Sequence, residues 1–130
     1  MSRCMSGTVM RMEGEWCWVK PEGLSPVAVK CTQQAPSQGA VTVMIRPERL
    51  HVSAEGSGNG YDNTLPAIVT QTIFNGNEVL YQVRLHNEAT WMARVAITEA
   101  QAYPLFVGQP VSVQWSAHES LALPIYPCPR

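Results

Sequence analysis

Short apolar runs, each closed off by turn-forming residues, follow one another along the sequence and limit what it can fold into. Residues 41–45 form the most regular run of the first half, and residues 79–85 alternate cleanly between two faces in the second. Asn75, Gly76 and Asn77 stand just before the latter run, where a tight β-hairpin turn is expected. Alternation with a period of two residues is the pattern of half-buried strands. The sequence therefore predicts an all-β fold, with residues 97–106 forming one helical turn or a wide loop.

The two halves of the chain resemble each other. Residues 39–52 and residues 108–123 carry the same order of a strand, a break and a short apolar return. A small curled sheet of this kind buries its inner face by closing on itself or by stacking on its twin. We therefore expect a double barrel. The expected parts are a first β half at 1–53, a glycine-rich connector at 54–63, a second β half at 64–124 and an irregular tail at 125–130.

Composition excludes several classes of protein. Hydrophobic residues make up 45% of the chain and charged residues 15%, which is typical of a folded domain. A formal net charge of −1 argues against nucleic acid as the main partner, because phosphate binding needs a basic face. The sequence contains neither a run of about 20 apolar residues that could span a bilayer nor the layout of a secretory signal. We expect a cytoplasmic protein that does not insert into the membrane.

The residues of common catalytic and metal sites do not come together in the sequence. His51, His86 and His118 lack neighbours at metal-ligand spacing, and solvated or capping roles are expected for them. The glycine-rich residues 54–63 are not followed by the lysine of a phosphate-binding loop, and no serine lies in a nucleophile elbow. The sequence thus predicts a binding module rather than an enzyme, with no catalytic residue, metal or cofactor in this chain.

The four cysteines do not form a zinc-type pattern. Cys4, Cys17, Cys31 and Cys128 contain no C-x-x-C pair, and reduced thiols on strands are the expectation. A disulfide such as one between Cys17 and Cys31 is the alternative, and it would need an oxidising compartment.

One segment resembles a known family. Residues 43–50 (VMIRPERL), with Arg46, Pro47 and Glu48 at their centre, resemble a motif of the TOBE domain that follows the nucleotide-binding domain in ABC importer ATPases. Residues 3–9 resemble the first strand of the same domain, and residues 65–85, 106–115 and 119–123 resemble its later strands, so that the likeness covers residues 3–124. Within the family, the likeness is greatest to the branch that serves polyamine and ferric-iron importers.

The resemblance implies an OB-like β-barrel that acts as a non-catalytic regulatory and dimerisation domain of an importer's ATP-binding subunit. Its implied partners are a second copy of the same domain and the ABC permease subunits, on the cytoplasmic side of the inner membrane. ATP and magnesium would belong to an ATPase domain that this sequence lacks, so we expect an excised domain or a truncated product. Arg46, Pro47 and Glu48 are then expected at a structural junction, with a regulatory contact as the alternative. The residues expected at an interface are Phe74, Gly76, Trp91 and Trp115.

Two other functions remain open from the sequence. A stand-alone binder of small oxyanions would need backbone N–H groups with Ser, Thr or Lys side chains clustered at an interface. Lys20 and Lys30 are the only lysines, which makes this the less favoured choice. An OB-fold binder of single-stranded nucleic acid is the second alternative, since that fold often serves this use.

Overall fold

The computed structural model describes residues 4–31, 39–55 and 61–124, and within them the chain is built almost entirely of strands. A single short helix, α1 (Ile97–Ala102), and two 3-10 helices (Pro47–Arg49 and Ala117–Glu119) interrupt them. The strands are β1 (Cys4–Glu13), β2 (Trp16–Pro21), β3 (Val27–Cys31), β4 (Gly39–Ile45), β5 (His51–Ala54), β6 (Asn63–Asn75), β7 (Glu78–Leu85), β8 (Thr90–Ala96), β9 (Pro110–Trp115) and β10 (Ser120–Pro124). Parts of the predicted connector (residues 56–60) and the predicted tail (residues 125–130) lie outside the described residues.

The strands form two sheets. The first is a closed barrel in the order β1-β2-β3-β10-β4, in which β10 runs parallel to β3 and antiparallel to β4. The second has the order β5-β9-β6-β7-β8 and curls into a half-barrel. The prediction of an all-β, OB-like fold is therefore confirmed. The predicted hairpin turn at Gly76 and Asn77 joins β6 to β7, and the predicted helical turn is α1.

The two sheets exchange a strand. Strand β5 follows β4 through the first 3-10 helix, yet it pairs with β9 of the second sheet. Strand β10 follows β9 through the second 3-10 helix and returns to pair with β4 of the barrel. The apolar return that ends each sequence repeat thus completes the sheet of the other half.

A buried side chain also joins the halves. Asn63, at the start of β6, accepts a hydrogen bond from the backbone N–H of Ala28 at 2.7 Å and donates one to its carbonyl oxygen at 2.8 Å. The amide group therefore pairs with β3 as a further strand residue would, and it satisfies backbone groups that burial would otherwise leave unpaired.

Along each strand, every second residue faces the interior of its own sheet, either the barrel or the curled second sheet. In β4, Val41, Val43 and Ile45 are buried, as the alternation in the sequence predicts. Trp91 and Trp115 fill the interior of the second sheet, where their rings meet edge to face with centroids 5.7 Å apart.

The expectation of reduced thiols is wrong for two cysteines. Cys17 of β2 and Cys31 of β3 form a disulfide, with their Cα atoms 5.8 Å apart. The two strands are antiparallel neighbours in the barrel, and this pairing brings residues 14 positions apart close enough to bond.

No helix in the described parts of the chain is long and apolar enough to cross a membrane.

Candidate functional site

A surface cavity of about 490 Å³ on the barrel collects most of the unpaired positive charge that the described residues offer. Four basic side chains and one acidic side chain line it. The lining residues are Lys30, Met44, Arg46, Arg49, His118, Glu119 and Leu121. We call this set the basic cavity.

The strand exchange builds the floor of the basic cavity. Leu121 of β10 lies between Lys30 of β3 and Met44 of β4 in the paired register of the three strands. These residues alternate with buried neighbours, and their side chains therefore face the outside of the barrel. Two more cations join from the segment after β4, where Arg46 precedes the first 3-10 helix and Arg49 ends it.

The second 3-10 helix holds the acidic residue of the cavity in place. The backbone N–H of Ser116 donates to Oε1 of Glu119 at 3.1 Å, and the N–H of Glu119 donates to the carbonyl oxygen of Ser116 at 2.9 Å. Asp62 accepts a further hydrogen bond from the N–H of Ala117 at 2.7 Å. Two carboxylates thus cap the start of this helix, where negative charge is stabilising.

The remaining charges leave the basic cavity electropositive. Glu119, whose side chain is 12% exposed, pairs with Arg49 at 3.7 Å between Oε2 and Nη1. Lys30 and Arg46 have no carboxylate partner among residues 4–31, 39–55 and 61–124. A site with two unpaired cations and a third shared one attracts anions, and an anion bound there gains charge-assisted hydrogen bonds.

A second polar groove, of about 400 Å³, is less suited to an anion. It is lined by Ser6, Gly7, Thr8, Lys20, Pro21, Glu22 and Ala40. Its single cation, the ammonium of Lys20, already donates to the carbonyl oxygen of Leu24 at 3.2 Å, and Glu22 opposes it. The groove therefore carries no net positive charge.

The histidines take up three unrelated positions. His51 stacks on Tyr61 with ring centroids 4.6 Å apart, His86 lies in the turn after β7, and His118 lines the basic cavity. No group of three or more metal-binding side chains comes together in the described residues.

The structure separates the residues of the predicted Arg46, Pro47 and Glu48 motif. Arg46 lines the basic cavity, and Pro47 begins the first 3-10 helix. Glu48 lies on that helix close enough to Arg94 of β8 to act on its charge. The motif therefore sits at the crossing from one sheet to the other, with its two charges directed to different sites.

The expected interface set is divided between core and surface. Trp91 and Trp115 are both 0% exposed, so neither side chain can contact a partner. Their placement at an interface is corrected, because the curl of the second sheet encloses them. Phe74 is 75% exposed and Gly76 lies in an exposed turn, so these two do reach the surface.

Sequence reasoning missed the basic cavity as a unit. The sequence groups Lys30 with Lys20 as candidates for oxyanion binding, and it does not identify Arg49 or His118 as anion ligands. The residues of the basic cavity come from three separate segments of the chain, and only the strand exchange brings these segments together. The matching breaks at residues 46–49 and 116–119 of the repeat are the signal that could have indicated their proximity.

Comparison with known proteins identifies the family to which this architecture belongs. The family model of the TOBE domain matches residues 43–123, which is more than half of the chain. The chain belongs to the TOBE domain family. No curated protein sequence matches it.

The TOBE fold seen here is similar to that of a solved structure described as the cytoplasmic molybdate-binding protein ModG with molybdate bound. The two share 15% sequence identity with a TM-score of 0.84, and the match covers 94% of this chain and 95% of that one. At this identity the likeness establishes the fold.

The match also corrects the expected role. A regulatory and dimerisation domain of an importer ATPase is contradicted, because the same two-sheet arrangement makes up almost the whole chain of a binding protein. The resemblance of residues 43–50 to the ATPase-linked domain therefore shows the TOBE family. Neither match is to a catalytic family.

Proposed function

We propose that this TOBE domain binds a small tetrahedral oxyanion of the molybdate and sulfate class in the basic cavity, without transforming it. The observation that carries the proposal is the excess of positive charge contributed by Lys30, Arg46 and Arg49 against the single carboxylate of Glu119. The fold shared with a molybdate-binding protein supports it.

The chemistry of the cavity suits a compact, doubly charged anion. The planar guanidinium of Arg46 can donate two parallel hydrogen bonds to neighbouring oxygens, while the ammonium of Lys30 acts as a point charge. The cavity of about 490 Å³ is open at the surface and larger than one such anion. Water molecules are expected to fill the remaining space and to bridge the anion to the walls.

Isothermal titration calorimetry with molybdate, tungstate, sulfate and phosphate tests the proposal. We expect saturable binding of at least one of these anions to the unaltered chain at low ionic strength. Arg46→Gln should weaken that binding roughly ten- to hundred-fold, because a hydrogen bond to a charged group contributes about 1.5–3 kcal/mol.

Arg84→Gln is the matched control. Arg84 is also a surface arginine, it lies on β7 away from the basic cavity, and it pairs with Glu88 at 3.8 Å. Its replacement should leave the affinity within about two-fold, because Arg84 does not line the basic cavity and its exposed ion pair contributes little to stability. Absence of saturable heat with all four anions, or equal losses in the two variants, would refute the proposal.

A further inference from the structure

The second sheet contains a position that matches Lys30 of the basic cavity. The pairing of β1 with β2 shifts register between Val9 and Arg11, and that of β6 with β7 shifts between Val69 and Gln71. The two halves can be aligned on these two irregularities. When the alignment is continued into the next strand of each sheet, Lys30 of β3 corresponds to Arg94 of β8.

The surroundings of the two residues also correspond. Strand β3 packs against the second 3-10 helix, which carries His118, and β8 packs against the first, which carries Glu48. Each half therefore presents a basic residue on its third strand beside a 3-10 helix. The charges differ, because His118 and Glu119 of the second 3-10 helix stand where the first has Glu48 and Arg49.

The hairpin of the second half is longer than that of the first. Beyond the register shift, β1 and β2 continue for three residue pairs, and β6 and β7 continue for five. Glu78 lies in one of the two additional pairs, so no strand pair of the first half contains a residue that corresponds to it.

Glu78 holds Arg94 in a two-point ion pair. Nε of Arg94 donates to Oε2 of Glu78 at 3.1 Å, and Nη2 donates to Oε1 at 3.0 Å. The hydrogen bond and the charge of Glu78 raise the pKa of Arg94, and the charge of Glu48 adds to the effect. Lys30 has no such partner among the described residues of the barrel.

We propose that Glu78, carried by the longer β6–β7 hairpin, closes the second half to anions, so that each chain takes one oxyanion in the barrel half alone. This inference rests on the proposed function. The carboxylate occupies the Nε and Nη2 edge of the guanidinium, and it competes directly with an oxyanion for that edge. With Glu48 nearby, two carboxylates act on the single guanidinium of Arg94, and they repel a dianion.

Calorimetry with molybdate, together with NMR of the arginine Nε–H signals, tests the inference. In the unaltered chain we expect one anion per chain, with shifts at Arg46 and Arg49 and none at Arg94. Glu78→Gln removes the competing charge and keeps the side chain's size. It should add a second binding event, roughly ten-fold weaker because Glu48 remains, accompanied by a shift at Arg94.

The double variant Glu78→Gln/Arg94→Gln is the control, and it should lose the added event while keeping the first. Two events in the unaltered chain, or an unmoved Arg94 signal in Glu78→Gln, would overturn the inference while leaving the basic cavity as a binding site. Absence of binding in every variant would instead overturn the proposed function and this inference with it.

Discussion

Gly7 shows how tightly a single residue is fixed by the barrel. A Cβ atom added there would lie 2.6 Å from Cγ1 of Val19 and 3.1 Å from the carbonyl oxygen of Lys20. Val19 is completely buried, so its side chain has little room to move away. The requirement for glycine at this place comes from the close approach of β2.

Gly7→Ala should therefore lower the free energy of unfolding by about 1–3 kcal/mol, the usual cost of overpacking a core. Urea denaturation followed by circular dichroism measures this change. Ser6→Ala, at the exposed neighbouring position, should change the free energy by less than about 0.5 kcal/mol. Equal midpoints for Gly7→Ala and the unaltered chain would contradict the packing described here.

At the scale of elements, the disulfide between β2 and β3 constrains the unfolded chain. It closes a loop between residues 14 positions apart. A cross-link over a loop of this length contributes about 3 kcal/mol by restricting the unfolded state. Since Cys31 is next to Lys30, the same bond also fixes the strand that carries a residue of the basic cavity.

Cys17→Ala/Cys31→Ala should lose about 3 kcal/mol of the free energy of unfolding under oxidising conditions. Urea denaturation with and without a thiol reductant provides the measurement. Reductant should bring the unaltered chain to the value of the double variant and leave the variant unchanged. A double variant as stable as the unaltered chain without reductant would show that the bond does not contribute.

The elements differ in how far the sequence could predict them. Local patterns are enough for β4 and for the Gly76 and Asn77 turn, because alternation and turn residues act over a few positions, whereas α1 is only one of two alternatives for residues 97–106. The partners of β5 and β10 could not be predicted, since alternation identifies a strand and not the strand it pairs with. The disulfide between Cys17 and Cys31 is only an alternative to reduced thiols in the sequence for the same reason, because it depends on the pairing of β2 with β3.

The same limit applies to the candidate site. Arg46 was selected from a motif, whereas Arg49 and His118 become neighbours only when β10 completes the barrel. Trp91 and Trp115 fit either a core or an interface by pattern alone, and the curl of the second sheet decides for the core.

At the scale of the whole molecule, the exchange of β5 and β10 makes the two sheets depend on each other. Neither sheet is complete without a strand from the other half, and Asn63 adds buried hydrogen bonds to β3. We therefore expect one cooperative unfolding transition rather than two.

The four tryptophans report on this cooperativity. Trp16 and Trp18 lie on β2 of the barrel, while Trp91 and Trp115 lie on β8 and β9 of the second sheet. Their four indole N–H signals in NMR spectra should disappear with the same midpoint as urea is raised. Separate midpoints for the two pairs would show that the halves unfold independently.

Binding of an oxyanion in the basic cavity is the central claim, and the position of a bound molybdate tests it most directly. Diffraction from crystals grown with molybdate, recorded at the molybdenum absorption edge, locates the metal atom by its anomalous signal. We predict one peak per chain in the basic cavity, with oxyanion oxygens in hydrogen-bonding distance of Arg46 and Lys30. A map without a peak there, or with its peak elsewhere on the chain, would contradict the account.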